Sequence, residues 1–352
     1  MGCPAGLSPR HFMKWKLLFL AIMIGLVFVG QSWYRSRSVH RLTRDGEFFG
    51  SYVKVDVCYQ GNQRRVLESV LDDVWNRFED IHSRLSVYDP NSDINRINQA
   101  HDAPVTVPED TYRLIRNSLD YYEISKGTHD ITIGSLIKLW KAKGEQGILP
   151  SEDEIAAAKS TVDIHAVALL PGHQIRLTRR DVAINIDSIG DGFAADEAAR
   201  ILRAGGFTNF LVDASGELFA SGHSCQGRKW RVGIRDPHDH QRLIDIVELS
   251  DLAVSTSGSY ERYYEIDGKR WPHIIDPRSG YPAQGIISAT VIAPSAEFAD
   301  FLSTAFCILP VPESLEIIGQ WGEDHAAMII AEDASVKEEK HKSSNYFRFI
   351  SP

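Results

Sequence analysis

Three stretches of this chain carry polar side chains in patterns that could do chemistry. Residues 255–282, STSGSYERYYEIDGKRWPHIIDPRSGYP, open on a Thr-Ser-Gly turn and set His273, Asp276 and Arg278 among Pro and Gly breaks. Pro fixes φ and Gly permits φ > 0, so such a loop is built to present side chains. Either it serves a site, or Asp276-Pro277-Arg278-Ser279-Gly280 is a β-turn between strands; the segment alone leaves both open. Residues 296–309, AEFADFLSTAFCIL, read as a helix with Phe298, Leu302, Ala305 and Leu309 on one stripe and Asp300, Ser303, Thr304 and Cys307 opposite. Asp300 and Thr304 are i, i+4 neighbours, and a carboxylate and a hydroxyl at that spacing can reach one hard cation such as Mg²⁺. The alternative is the wet side of an amphipathic helix, although this face is poor in Lys and Glu. The third stretch, NIDSIGDGFAADEAARIL at 185–202, is a Gly-rich strand-to-helix turn whose free N–H groups would attract phosphate. It is neither a Walker A loop nor GxGxxG, and by itself the signal is weak.

The elements that must hold these stretches follow from periodicity. Residues 48–59 alternate Val53, Val55 and Val57 with polar neighbours, as a half-buried strand does. Between 64 and 85, Leu67, Val70, Leu71, Val74, Phe78 and Ile81 recur at helical spacing, a core stripe. Residues 83–98, SRLSVYDPNSDINRIN, read as a connector with Ser92 placed as an N-cap. Helices are expected at 109–125 and 148–159, and a buried stretch at 127–140 holds His129 and Asp130. A hairpin is predicted from 174–178 and 181–186, another around Ala214-Ser215-Gly216, further strands at 230–235, 243–249 and 286–292, a solvated loop at 332–344 and a last strand at 346–350. Strands with irregularly interspersed helices argue for an α+β domain of mixed or antiparallel strands, not a regularly alternating parallel sheet.

A net charge of −9 over 352 residues leaves no electrostatic footprint for nucleic acid, while an acidic protein that handles phosphates needs a divalent cation. The four cysteines, Cys3, Cys58, Cys225 and Cys307, are far apart with no CxxC, so no disulfide framework and no zinc site is expected. Residues 1–34 read as a signal or anchor: Arg10, Lys14 and Lys16 precede the apolar core 17–30, and Trp15, Trp33 and Tyr34 bring it near the length of a spanning helix. Basic residues ahead of the core would keep the N-terminus in the cytoplasm and the body outside it. Residues 35–46 would tether a single domain, 47–352.

Taken in order, SVYDPNSDINRIN, GTHDITIGSLIKLW, INIDSIGDGFAAD, LVDASGELFASG, VSTSGSYERYY, HIIDPRSGYP, and SATVIAP followed by ADFLSTA resemble the ApbE family of FAD:protein FMN transferases. The resemblance spans about 48–310. It implies an enzyme on the periplasmic side of a bacterial inner membrane that takes FAD with Mg²⁺, moves FMN onto a Thr or Ser hydroxyl of an acceptor flavoprotein, and releases AMP. The acceptor would be a subunit of a membrane electron-transfer complex. The family's metal ligands match Asp300, Thr304 and the backbone carbonyl of Ser188. Its flavin-contacting positions match Phe49, where Met is common, and Tyr88, Thr128, His129, Asp130, Asn185, Asp191 and Ile274. His273 matches the residue that would take the acceptor proton. The departures are Asp191 for a Lys, Asn185 for an Asp, His129 for a Phe, and Ser215 and Glu217 where Gly-Gly-Asp is usual. They leave two other readings: FAD hydrolysis to FMN and AMP, or a catalytically weakened FAD-binding carrier.

Overall fold

The computed structural model describes Phe19, Met23 and residues 38–239, 241–332 and 338–347. The expected anchor, apart from Phe19 and Met23, lies outside the described residues, and no helix among those described is long and apolar enough to cross a membrane. The strands are β1 (Val39–Phe48), β2 (Ser51–Gln60), β3 (Val105–Thr106), β4 (Val167–Leu170), β5 (Gln174–Leu177), β6 (Phe210–Ala214), β7 (Glu217–Ser221), β8 (Trp230–Arg235), β9 (Leu243–Leu249), β10 (Leu252–Gly258), β11 (Tyr263–Ile266), β12 (Lys269–Pro272), β13 (Ile286–Ala293), β14 (Ala326–Glu332) and β15 (Glu338–Lys342). The helices are α1 (Arg64–Leu85), α2 (Asp93–Gln99), α3 (Glu109–Ile124), α4 (Gly134–Gly144), α5 (Glu152–Lys159), α6 (Asp187–Ala204), α7 (Ala296–Phe306) and α8 (Val311–Gly319).

Eight strands form one antiparallel sheet in the order β1-β2-β6-β7-β10-β13-β14-β15. Successive side chains of a strand face opposite ways, and here both faces are covered. Ala253, Val291 and Ile329 point into a core built with α1, α6 and α7, while their neighbours Val254, Ile292 and Ile330 point into a second core capped by the β8–β9 hairpin and Phe347. That double burial is why β13, IISATVIA, is buried at every position, Ser288 and Thr290 included. The α1 stripe lands where its periodicity puts it, with Leu67 through Leu85 against the sheet. A third, small cluster of Leu136, Trp140, Ile155 and Ile275 supports the loop that follows β12. The α+β expectation holds, as antiparallel strands with helices.

Several local expectations change. Residues 39–46, read as tether, form most of edge strand β1, paired with β2 around a Phe49-Gly50 turn in which both residues have positive φ. Residues 255–258, read as a turn, complete β10, because β13 offers them a ladder partner. The 174–186 hairpin is absent: β5 pairs with β3 and β4, and Ala183 makes a lone parallel bridge to Ile133. The 332–344 loop contains β15, and the last-strand expectation at 346–350 meets a turn at Tyr346 and irregular backbone at Phe347, and otherwise lies outside the described residues. α2 emerges from the connector at 83–98, capped by the Ser92 hydroxyl.

The cysteine expectation is also corrected. Cys58 and Cys225 form a disulfide with Cα atoms 5.3 Å apart across a sequence separation of 167, while Cys307 is free and buried. Spacing could not show this, because the two meet only when β2 pairs with β6 and the chain returns past β7. A cross-link closing so long a loop restricts the unfolded chain most, so replacing both cysteines by Ala should lower unfolding free energy by about 2–4 kcal/mol. Urea melts of the double variant and of reduced wild type should coincide, and a variant as stable as the oxidised protein would contradict that contribution.

Candidate active site

Helices α6 and α7 pack more closely than side chains normally allow. A Cβ built on Gly192 would lie 2.4 Å from the Ala296 carbonyl oxygen and 2.8 Å from the Asp300 Cβ, so only glycine fits. The Gly192 N–H donates to Asp300 Oδ2 at 3.0 Å. In an α-helix the N–H of residue 192 also points at the carbonyl of residue 188. The Ser188 carbonyl and the Asp300 carboxylate therefore flank one N–H. One turn along, Asp196 of α6 accepts hydrogen bonds from the Ala296 N–H at 2.9 Å, the Glu297 N–H at 3.0 Å and the Ser295 hydroxyl at 2.6 Å. Residue 196 thus meets 296 and residue 192 meets 300, an antiparallel register between the two helices.

The polar face of α7 is not wet. Asp300 is 5 % exposed and Ser303 and Cys307 are essentially sealed, which removes the solvent-face alternative. A run of hydroxyls ties this face to β10: Ser303 lies 2.8 Å from both Ser255 and Ser257, and Ser257 lies 3.2 Å from Thr304 Oγ1. The Ser303 hydroxyl also donates to the Asp300 carbonyl at 3.0 Å. Opposite, Glu217 at the start of β7 is buried with its Oε2 unpartnered.

Electrostatically this is a nest of carboxyls short of cations. Burial drives the Asp300 and Glu217 pKa values well up, and the charges on Glu217 and Asp191 add to it at Asp300. Burial and then the charge on Asp187 push Asp191 up to about 7. Asp187 is raised by burial as well, with Arg262 and Lys141 acting against it. Asp300 and Glu217, both buried, and the half-buried Asp191 cannot all ionise without a positive partner. Among the described residues no three His, Cys, Asp or Glu side chains form a ready-made ligand set. The available donors are instead a carboxylate, a hydroxyl and a backbone carbonyl, oxygen atoms that suit a hard cation able to share its remaining positions with a phosphate.

His273 lies after β12, where water reaches it but protein surrounds it on most sides; Asp187 is placed similarly. The Arg262 carbonyl accepts from the His273 backbone N–H and lies 3.0 Å from Nδ1. A carbonyl can only accept, so Nδ1 carries the proton and Nε2 keeps a free lone pair. Burial lowers the imidazole pKa, with the Arg262 charge contributing in the same direction. Arg262 acts on His273, Asp187 and Asp191 alike, which sets these groups around one guanidinium. The following turn is rigid: the Asp276 carboxylate accepts from the Arg278 backbone N–H at 2.9 Å and from its guanidinium at 3.0 Å, and Trp140 Nε1 donates to the Gly280 carbonyl at 2.8 Å.

The other expected positions are distributed around these. Phe49 sits at the β1–β2 turn with φ of 56°, edge-on to Phe78 and His82, beside a cavity of about 520 Å³. Tyr88 is 74 % exposed, with the Lys141 ammonium 4.6 Å over its ring and donating to its hydroxyl. Asn185 grips the start of α6, accepting from the Asp187 N–H at 2.8 Å and donating to the Asp187 carboxylate at 3.0 Å. Ile274 is buried in the main core. Thr128, His129 and Asp130 form a buried turn; Thr128 donates to the Ser125 carbonyl and Asp130 accepts from Thr132. The His129 ring stands edge-on to Tyr121 and Phe301, burial depressing its pKa to about 3, and its Nε2 is unpartnered. Sequence reading missed Ser257 as the partner of Thr304, with Ser303 behind it, and it missed Asp196. The only signal for Asp196 was its position one helical turn after Gly192.

The sequence model of the ApbE family matches residues 49–329. The chain is 34 % identical over 246 residues to the FAD:protein FMN transferase of Escherichia coli (strain K12), covering 68 % of this chain and 70 % of that protein. It is 31 % identical over 342 residues to the FAD:protein FMN transferase of Treponema pallidum (strain Nichols), covering 92 % of each. Among solved structures, the apo form of Pseudomonas stutzeri flavinyl transferase ApbE superposes with a TM-score of 0.76 at 28 % identity, over 87 % of this chain and 95 % of that one. Flavin transferase ApbE from Vibrio cholerae shares the fold, with a TM-score of 0.77 at 23 % identity over 88 % and 98 %.

The tight α6–α7 contact predicts a sharp asymmetry between neighbouring glycines. Gly192→Ala should cost about 1–3 kcal/mol through overpacking. Gly190→Ala, whose Cβ meets nothing within 4 Å, should be neutral or stabilise by up to about 1 kcal/mol. Chemical denaturation of the two variants side by side is the check, and equal effects would contradict the tight packing at Gly192.

Proposed function

Because the chain belongs to the ApbE family, we propose that it transfers FMN from FAD to a Thr or Ser hydroxyl of an acceptor flavoprotein, with release of AMP. The observation that supports this reading best is the junction of α6 and α7, where the Ser188 carbonyl, Asp300 and Thr304 offer oxygen donors beside unneutralised carboxyls. These three would hold Mg²⁺. Bound there, the ion would neutralise the pyrophosphate and polarise the phosphorus toward attack. Glu217, with its unpartnered oxygen, adds negative charge that favours a cation at this place. Asp191 stands where the family usually has Lys, so this chain leaves more of the neutralisation to the metal and to Arg262.

The chain's own residues then have distinct roles. His273 Nε2, left free by the Nδ1 contact with the Arg262 carbonyl, takes the proton of the acceptor hydroxyl. The acceptor oxygen forms a bond to the FMN phosphorus as the bond to the AMP oxygen breaks, and AMP leaves with that electron pair. The hydroxyls of Ser257 and Ser303 orient Thr304, while the Asp276–Arg278 turn steadies the segment bearing His273. Residues 17–30 would hold the enzyme at the inner membrane with the body in the periplasm. The Cys58–Cys225 disulfide supports an oxidising location, and the acceptor is taken to be a membrane electron-transfer subunit.

Incubating the full chain with FAD, Mg²⁺ and a flavoprotein acceptor should give a covalent fluorescent adduct and one AMP per adduct. Asp300→Ala should slow adduct formation roughly 10²-fold or more. Adduct formation that is indifferent to Mg²⁺ and to Asp300→Ala would sink the proposal, and AMP release without acceptor would favour FAD hydrolysis instead. The lowered His273 pKa gives a pH prediction. The base works when neutral, so activity is retained above its pKa and lost as pH falls through it, and the acid limb of the rate profile should lie below pH 6.5. His273→Gln should slow transfer roughly 10²–10⁴-fold and remove that limb; an unchanged profile would assign the proton to another group.

A further inference from the structure

Asp196 touches none of the atoms expected to meet metal or substrate, yet its carboxylate makes three hydrogen bonds across the helix pair. They reach Ser295, Ala296 and Glu297, the N-cap and first turn of α7, from the middle of α6. An N-terminal turn normally finds an acceptor within its own helix start. The Ser295 hydroxyl fills part of that role, accepting from the Phe298 N–H at 3.3 Å, but the two N–H groups before it are satisfied only from the other helix. This anchorage lies one turn from the Gly192–Asp300 hydrogen bond and two turns from Ser188 and Thr304. The close approach at Gly192 ties the helices by one hydrogen bond that ends on a side chain able to rotate, a weaker hold on their sliding register. A carboxylate that grips two successive N–H groups does fix it.

We propose that Asp196 is a positioning residue that sets the spacing between the Ser188 carbonyl on α6 and the Asp300–Thr304 pair on α7, and thereby the affinity of the site for a divalent cation. Glu297 extends the same anchorage, since its carboxylate accepts from Tyr121 and Asn117 of α3, each at 2.9 Å. The start of α7 is thus gripped on two sides, while its far end is held to β10 by hydroxyls. If Asp196 is removed, the α3 contacts still hold α7 in the fold. They do not refer it to α6, and it is the α6–α7 distance that the cation would read. This inference rests on the proposed metal reading of the site.

The test uses the full chain with Mn²⁺ alone as probe, its binding followed by electron paramagnetic resonance, and amide hydrogen exchange at Gly192 as a second measurement that needs no metal. Asp196→Ala should weaken Mn²⁺ binding by roughly 10–100-fold, the usual effect of losing a group that orients ligands. It should also speed exchange of the Gly192 amide. Asp196→Asn keeps an acceptor oxygen and should restore part of both properties, and it remains available should the Ala variant not fold. Ser151→Ala removes a capping box of ordinary kind from α5, so it controls for destabilisation and should leave Mn²⁺ affinity within about twofold. Wild-type affinity in Asp196→Ala, or an equal loss in Ser151→Ala, would overturn the positioning role. A wild-type chain that takes up no Mn²⁺ would sink the metal reading itself, and this inference with it.

Discussion

The hydrogen bond from the Gly192 amide to the Asp300 carboxylate is the contact on which the site depends. It can form only because residue 192 has no side chain to hold the helices apart. A carboxylate buried at a helix junction is costly unless its oxygens are satisfied, and one backbone N–H answers for only part of that demand. The rest is left standing, next to the charges of Glu217 and Asp191. A fold tolerates such a deficit where something else supplies the positive charge. On the β10 side, the Thr304 hydroxyl one turn along α7 is held by Ser257.

The large antiparallel sheet makes that junction rigid. Both faces of β10 and β13 are covered, so the strand that contributes Ser255 and Ser257 has no freedom to move away from α7. The β11–β12 hairpin leaves the sheet entirely and hangs its own small cluster on Trp140 and Ile275. His273 therefore belongs to a different support from Asp300.

Much of this was legible before any coordinates. The α1 stripe, the Ser92 cap, the β6–β7 hairpin and the i, i+4 pairing of Asp300 with Thr304 are local patterns, and local patterns survive folding when the core agrees with them. The failures are all of one kind. Residues 255–258 looked like a turn because Thr-Ser-Gly is turn-prone, yet β13 recruited them as a ladder. Residues 39–46 looked like a linker because they are polar, yet an edge strand needs only one neighbour. His129 was expected in a buried stretch and is buried; its enclosure by Tyr121 and Phe301 is a packing that no neighbouring residue announces.

By itself, the sequence determined the strongly periodic helices, the shortest hairpin, the acidic balance, and the ordered motifs that mark the family, because these depend on residues close together in the chain. Tertiary structure alone decided that Cys58 meets Cys225, that Asp196 grips the start of α7, and that the wet-looking face of α7 is buried. The reason is the same in each case. A hydrogen bond, a disulfide or a desolvated charge is fixed by distance in space, and here those distances are set by which strands pair and which helix carries a glycine.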